Sequence, residues 1–265
     1  MQVARHGVRD VLGVVREARE TAGSTAPLVV SGVLAAELAR ALQSGAERGS
    51  AVRVGGDPEG AIALVVVLGG APSAGDDRIM RSAARASVPV VAVQTDPKAD
   101  APLAYVPASA VVACKAGRSF PVDEIARALA DQLGHDAATL AARVPAIRDR
   151  LVRELVRRAS LRAAVVGALP WRRGADLPAL TLIQARLVLD LAAAYGRTVD
   201  QERAPELAAV FASGLGVRTL VRRLPQRLPL IGGLTGYLIT RALGEAAIRR
   251  FGTGDCVAES VRSGS

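Results

Sequence analysis

Apolar residues along this chain change their spacing near residue 137, and the elements they predict change with it. Val8, Val11, Leu12, Val15 and Ala18 recur at helical spacing beside Arg16, Glu17, Arg19 and Glu20, which predicts an amphipathic helix near the start. Gly23 to Pro27 end it. Leu28-Val29-Val30-Ser31-Gly32 predicts a short buried strand running into a turn, and Leu34, Ala35, Glu37, Leu38 and Leu42 favour a helix over 33–47. A second strand is expected over 51–54, closed by Gly55-Gly56-Asp57-Pro58. Residues 62–68 are uninterrupted and apolar, with three consecutive valines, as in a strand buried on both faces of a parallel sheet.

A polar-faced helix over 76–86 comes next, then an apolar strand over 88–93 that runs into Gln94-Thr95-Asp96-Pro97. Residues 110–113 predict one more strand, ending at Cys114-Lys115-Ala116-Gly117. Ile125, Leu129 and Leu133 line one face of a helix over 122–133 that Gly134 stops. Strands alternating with helices at this spacing predict an α/β fold with a doubly wound, mostly parallel sheet. Beyond 137 no strand pattern returns. A basic helix is expected over 138–165 with Pro145 near its start. Further helices are expected near 176–195, 200–213, 215–225 and 232–250, separated by Tyr195-Gly196, Gly214-Leu215-Gly216, Pro225 to Pro229 and Gly232-Gly233. Residues 252–265 are small and polar and read as a frayed tail.

Charge sharpens this division. The formal net charge is +9 over 265 residues. Residues 1–140 carry 14 basic and 15 acidic side chains, and residues 141–265 carry 20 and 10, so the whole excess lies in the second half. The split places a domain boundary near 140 and implies an anionic partner for the second half. Nine arginines, at 143, 148, 150, 153, 157, 158, 162, 172 and 173, face only Asp149 and Glu154. Arg148, Arg153 and Arg157 recur at helical spacing on a face read as solvated. Among the 34 basic residues only Lys98 and Lys115 are lysines. Codon usage in a GC-rich genome explains that choice as readily as function does, so the clustering carries the information.

Candidate chemistry is sparse. Cys114 and Cys256 are the only cysteines, and His6 and His135 stand alone, so neither a disulfide framework nor a metal site is expected. Arg5, Arg9 and Asp10 interrupt any apolar core at the start, so no signal peptide is expected. The 13 uncharged residues from Leu228 to Thr240 reach only ~20 Å as a helix, against the ~30 Å of a hydrocarbon core. A single-pass span is not expected, whereas peripheral contact with an anionic surface is compatible with the basic residues. The second half's aromatic residues are Trp171, Tyr195, Phe211, Tyr237 and Phe251, a thin supply for stacking on nucleic acid.

Two resemblances organise these features. Ala113-Cys114-Lys115-Ala116-Gly117 followed by Val122-Asp123-Glu124-Ile125 resembles the base-contacting loop and following helix of Era-like GTPases, with Val93-Gln94-Thr95-Asp96 in place of their Asn-Lys-x-Asp motif. The resemblance makes Asp96 and Lys115 vestigial nucleotide-site candidates. A phosphate-binding loop needs Gly-rich backbone, a lysine and a Ser or Thr. The corresponding turn, Gly32-Val33-Leu34-Ala35-Ala36-Glu37-Leu38, has one glycine, no lysine and no hydroxyl. Asp57-Pro58-Glu59-Gly60 satisfies the Asp-x-x-Gly spacing of the metal-side motif.

The second half resembles the YcjF-type domain family, through Ala168-Leu169-Pro170, Gly174 to Thr181, Gln184 to Val188, Tyr195-Gly196-Arg197, Gly214 to Leu220, and Thr240 to Ile248. Members of that family commonly follow a GTPase domain, and some are inner-membrane proteins. Here Trp171-Arg172-Arg173 replaces a more apolar loop.

The expected organisation is a degenerate GTPase-like α/β domain over 1–136, a basic linker helix with a YcjF-type all-α domain over 137–252, and a flexible tail over 253–265. The expected function is non-enzymatic: a pseudo-GTPase scaffold without cofactor or metal, acting as an accessory or interaction protein. Its expected partner is an anionic membrane surface or another protein, and its expected place the cytoplasm, peripheral at the inner face of the cell membrane if lipid is the partner. The alternatives are a GTP-binding protein with a non-standard phosphate site and a nucleic-acid-associated protein.

Overall fold

The computed structural model describes residues 25–44, 51–96, 103–114, 119–169, 177–197 and 229–262. The helix expected near the start, those expected over 200–213 and 215–225, the Trp171-Arg172-Arg173 loop and Lys115 lie outside the described residues. The chain forms two compact units that part between Leu151 and Val152.

In the unit spanning 24–151, the strands β1 (Leu28–Gly32), β2 (Val52–Val54), β3 (Ala63–Leu68), β4 (Val90–Gln94) and β5 (Val111–Ala113) form one sheet in the order β2-β1-β3-β4-β5. Every neighbouring pair is parallel, so the α/β expectation holds with no antiparallel strand among them. The uninterrupted apolar run becomes β3 at the centre, with all six residues buried. Parallel strands need crossovers. Helix α1 (Ala35–Leu42) lies between β1 and β2 and α2 (Ala74–Arg85) between β3 and β4, β2 passes to β3 through a turn without a helix, and α3 (Val122–Leu133) follows β5. Helix α1 buries Ala35, Leu38, Ala39 and Leu42, an apolar stripe at helical spacing. Helix α3 buries the predicted Ile125, Leu129 and Leu133.

The turn out of β1 is fixed by one backbone contact. Gly32 has φ +93, and a Cβ there would lie 2.1 Å from the Val67 carbonyl oxygen. The same oxygen accepts the Val33 N–H at 2.9 Å. Only glycine combines the left-handed backbone with so close an approach to β3.

The single basic helix expected over 138–165 is two helices, α4 (Ala137–Arg143) and α5 (Pro145–Ala168). Pro145 lacks an N–H, and its ring drives Val144 out of the helical region to φ −124, ψ 84. The carbonyls left open at the end of α4 are met by Arg148, whose Nε donates to Ala141 O at 3.1 Å and Nη2 to Ala142 O at 3.4 Å. Ile147 and Leu151 are buried, so the first turns of α5 belong to the core of the α/β unit.

In the unit holding 152–265, the rest of α5 joins α6 (Leu177–Ala194) and α7 (Pro229–Arg262). Helix α7 runs on past Gly252, where the sequence pattern places the start of a tail. Helices α5 and α7 touch through backbone. A Cβ on Gly232 would lie 2.4 Å from Gly167 O, one on Gly236 2.6 Å from Ala163 O, and one on Gly244 2.7 Å from the Val156 methyls. As positions rise along α7 their partners fall along α5, so the two helices are antiparallel. Gly232 and Gly233, which in sequence read as a break between helices, are the seam itself. Helix α6 is joined to α7 by a buried hydrogen bond from Gln184 Nε2 to Thr240 Oγ1 at 3.0 Å. Near its end the Tyr195 and Phe251 rings meet with centroids 6.4 Å apart.

Two comparisons test these contacts. Gly60 also has positive φ, at +74, but nothing lies within 4 Å of its Cβ position. Gly60→Ala should therefore cost only the ~1–2 kcal/mol of a left-handed backbone. Gly32→Ala carries the Val67 clash as well and should cost clearly more, read as the difference in urea midpoints. In an open helix Gly→Ala stabilises by about 1 kcal/mol. Gly236→Ala should instead lower the melting temperature, and a rise would show that α5 and α7 do not meet there.

Candidate functional site

In a doubly wound sheet, ligands bind outside the carboxyl ends of the strands where the strand order reverses. Here that point lies between β1 and β3. The β1 loop brings Val33 and Leu34 to it, both half-exposed. Val33 packs toward the β3 loop, its Cγ2 3.4 Å from where a Cβ on Gly69 would stand. Leu34 holds φ 55 to enter α1, and its carbonyl accepts both Glu37 and Leu38 N–H. Glu37 thus sits in the first turn of α1.

The start of α2, just after β3, is closed by its own residues. Asp76 N–H donates to Ser73 Oγ at 3.2 Å, and Asp76 Oδ2 accepts Ser73 N–H at 2.9 Å, a capping box. Asp76 and Asp77 both lie in that first turn. Helix N-termini favour anions. On α1 and α2 carboxylates already occupy that position, and they repel a phosphate.

The nucleotide-site candidates are only partly brought together. Thr95 N–H and Oγ1 both donate to Leu68 O, at 2.9 and 3.1 Å, which fixes Asp96 beyond the carboxyl end of β4. Cys114 N–H donates to Gln94 O at 2.7 Å, so the strand end preceding Lys115 lies on the adjacent strand at the same edge. The Asp57–Gly60 turn goes elsewhere. Its carboxylate accepts Glu59 N–H at 3.1 Å and Ser82 Oγ at 3.2 Å. The chain then returns to the amino end of the sheet, where Ile62 N–H donates to Pro27 O at 3.0 Å. The length of β3, about 17 Å, separates that end from the β1–β3 crevice.

A second concave site lies in the helical unit. An open groove of about 460 Å³ is lined by Arg153, Val156 and Arg157 of α5 and by Tyr237, Arg241, Glu245, Ile248 and Arg249 of α7. Beneath it Glu154 is only 4% exposed, and Arg157 Nε donates to both its oxygens at 2.9 Å. Arg157 Nη2 bonds to the same carboxylate, which Arg158 Nε also reaches at 3.4 Å. Across the groove Arg241 Nε donates to Glu245 Oε1 at 3.0 Å and Nη1 to Tyr237 OH at 3.2 Å.

The Glu154 hydrogen bonds hold the Arg157 pKa above its ordinary value, and those from Glu245 and Tyr237 do the same for Arg241. Burial, then the Arg162 charge, lowers that of Arg158. Four arginines against Glu245, with Glu154 below, leave the groove cationic.

The arginine row on α5 continues at four-residue spacing into Leu161, Val165 and Leu169, all exposed, with Val165 at 63%. On α7, Leu234 at 60% and Leu238 are exposed three residues before Tyr237 and Arg241. Residues three and four apart are helical neighbours. The antiparallel seam sets Leu161 level with Leu238 and Val165 level with Leu234. Exposed aliphatic side chains therefore continue from the four arginines along both helices, with Leu161 and Leu238 one turn from the groove, while each step of four advances about 40° around the helix and turns Val165 and Leu169 away from the side that carries Arg153.

The sequence pattern picks out Arg153 and Arg157 but not Tyr237, Arg241, Glu245 and Arg249. Their strict four-residue spacing was the available signal. Arg148 is placed differently from expectation: it is half-buried on the carbonyls of α4, not on a solvated face. Among the described residues no group of three or more His, Cys, Asp and Glu could hold a metal, and no helix is long and apolar enough to cross a membrane. Comparison of the chain with protein-family models, with curated proteins and with solved structures finds no match.

Arg148→Gln should lower stability by roughly 1–3 kcal/mol, through the carbonyls it leaves unsatisfied. It should leave any interaction of the groove unchanged. A thermal melt paired with a binding assay on the same sample checks both.

Proposed function

We propose that the protein is a non-catalytic accessory or interaction protein whose helical unit binds the surface of an anionic membrane. The observation that carries this reading is the strip on α5 and α7 where exposed aliphatic residues adjoin an arginine-lined groove. An anionic bilayer complements both halves. Arginines meet phosphates at the headgroup level and can lay their apolar stems along it. Leu161, Val165, Leu169, Leu234 and Leu238 are 45% to 63% exposed, and full burial of such a side chain gains about 1.5–3 kcal/mol. Nucleic acid complements the charge but not the five aliphatic side chains.

The α/β unit is a pseudo-GTPase scaffold in this reading. Glu37, Asp76 and Asp77 at the helix starts oppose a triphosphate, and the GTPase-like turn at Asp57 uses its carboxylate on Glu59 and Ser82. The YcjF-type resemblance of the second half agrees with a membrane-side role.

Flotation with vesicles tests the reading. The protein should rise with phosphatidylglycerol vesicles at low salt and remain behind with neutral phosphatidylcholine vesicles. Binding should weaken as salt shortens the screening length from ~30 Å at 0.01 M to ~10 Å at 0.1 M. Val165→Asp combined with Leu234→Asp should reduce binding even at low salt. Equal recovery with the two vesicle types would refute the reading. Since the groove's cations are all arginines, which stay protonated far above neutrality, binding to phosphatidylglycerol should stay level from about pH 6 to 9.

GTP added to the protein in a calorimeter should give no binding heat. Micromolar affinity that Asp96→Ala removes would overturn the pseudo-GTPase reading.

A further inference from the structure

The groove has features that a diffuse electrostatic contact does not need. It is concave, it is built from two helices, and two of its arginines are held in place by hydrogen bonds within the unit. Arg157 uses Nε and Nη2 on Glu154, and Arg241 uses Nε and Nη1 on Glu245 and Tyr237. A guanidinium has five N–H donors. Each of these side chains therefore keeps a second terminal nitrogen with two N–H groups beyond the bonds that hold it. Arg157, tied to a buried carboxylate, has less rotamer freedom to lose on binding phosphate, whereas Arg241 pairs with Glu245 at the exposed surface, where such a pair restrains it little.

We infer that this groove is a discrete site for the phosphate of one anionic glycerophospholipid; the inference rests on the membrane reading. Arg153, Arg157, Arg241 and Arg249 form the cationic wall, with Arg157 and Arg241 presenting their remaining donors to the phosphate. Val156 and Ile248 supply the apolar lining for glycerol and the first acyl carbons. The volume agrees. A groove of about 460 Å³ lies within the ~300–1,000 Å³ of small-molecule sites, more space than a bare phosphate requires, and suits an attached organic group. The apolar surface that begins one turn along each helix, at Leu161 and Leu238, is where acyl chains leave the groove. A soluble phosphate ester has no use for that continuation.

The test uses the full chain and neutral vesicles doped to one zeta potential with phosphatidic acid, with phosphatidylglycerol or with oleate, whose charge is a carboxylate. Affinity for both phospholipid vesicles should exceed that for oleate vesicles by roughly tenfold or more, the scale of one charge-assisted hydrogen bond. Monomeric dihexanoyl phosphatidic acid should compete with saturation at one per chain. Inorganic phosphate at the same concentration should not. Arg153→Gln with Arg241→Gln should reduce phospholipid affinity to the oleate level, with the circular dichroism melt reporting that the protein is folded. Equal affinity for all three vesicles overturns the discrete site and leaves the membrane reading standing. Competition by inorganic phosphate as strong as by the lipid overturns the lipid assignment. Failure to bind any of the vesicles overturns both.

Discussion

The helical unit depends on the backbone contact between α5 and α7. Where Gly167, Gly232 and Gly236 meet carbonyl oxygens of the opposite helix, no side chain stands between the two helices. The close approach has two consequences. It brings arginine rows that are far apart in sequence onto one face, and it leaves no room in the seam for larger residues, so the bulky aliphatic side chains lie outside it. Val165 and Leu234 stand two residues from the seam positions on either side of them, about 200° around their helices, and so point away from the seam. Helices packed through larger side chains stand 8–10 Å apart and interlock ridges into grooves. Packing through small residues is the usual solution where helices have no hydrophobic drive to associate. Here it coexists with a buried Gln184–Thr240 hydrogen bond between α6 and α7, so polar pairing as well as close packing defines the unit.

The α/β unit is governed by a similar close approach with the opposite outcome. Gly32 lets the exit of β1 fold against Val67, which sets the half-exposed Val33 beside the β3 loop at the crevice. The next helix then starts with Glu37 in its first turn, and the one after it with Asp76 and Asp77. Each carboxylate stabilises its helix by meeting the positive end of the dipole, by about 0.3–1 kcal/mol for an exposed position. The same placement removes the feature that makes such ends attract phosphate. Stability and anion binding compete for the same helix ends; at α2 the Ser73–Asp76 capping box takes the N–H groups, and at α1 Glu37 opposes an anion by charge alone.

How much of this was legible in the sequence depends on whether the deciding contact is local. The run at 62–68 could be read as a central strand because burial on both faces is written in consecutive residues. The stripe of α3 was legible for the same reason. Pro145 was visible, but placing it inside one helix over 138–165 missed that its ring ends one helix and starts the next. Gly232 and Gly233 were misread as a break, because glycine disfavours a helix locally and only the opposing backbone of α5 explains its place inside one. The candidate site was half legible. Arg153 and Arg157 lie in a dense basic run, whereas Arg241 and Arg249 are diluted among apolar neighbours and gain meaning only when α7 lies antiparallel to α5. Cationic character belongs to a sequence segment; a groove belongs to a pair of segments, and their register is not written in either.

The arginine content of the chain can now be divided by physical role. Codon bias accounts for arginine over lysine where only a charge is needed. It does not account for positions that use the geometry of the guanidinium. Arg148 spans the carbonyls of Ala141 and Ala142 at once, Arg157 grips both oxygens of a buried carboxylate, and Arg241 joins a carboxylate to a tyrosine hydroxyl. An ammonium carries its three donors on one nitrogen at the end of a flexible stem and lacks the rigid planar fork that meets two separate acceptors side by side. At Glu154 the difference matters most, because a buried carboxylate left half-satisfied is costly. Arginine here holds the end of α4, neutralises a buried acid and still leaves donors on the surface of the groove. One side-chain type thus serves both the packing of the helices and the charge they present, which is why the basic face and the fold of this part of the chain are not separable features.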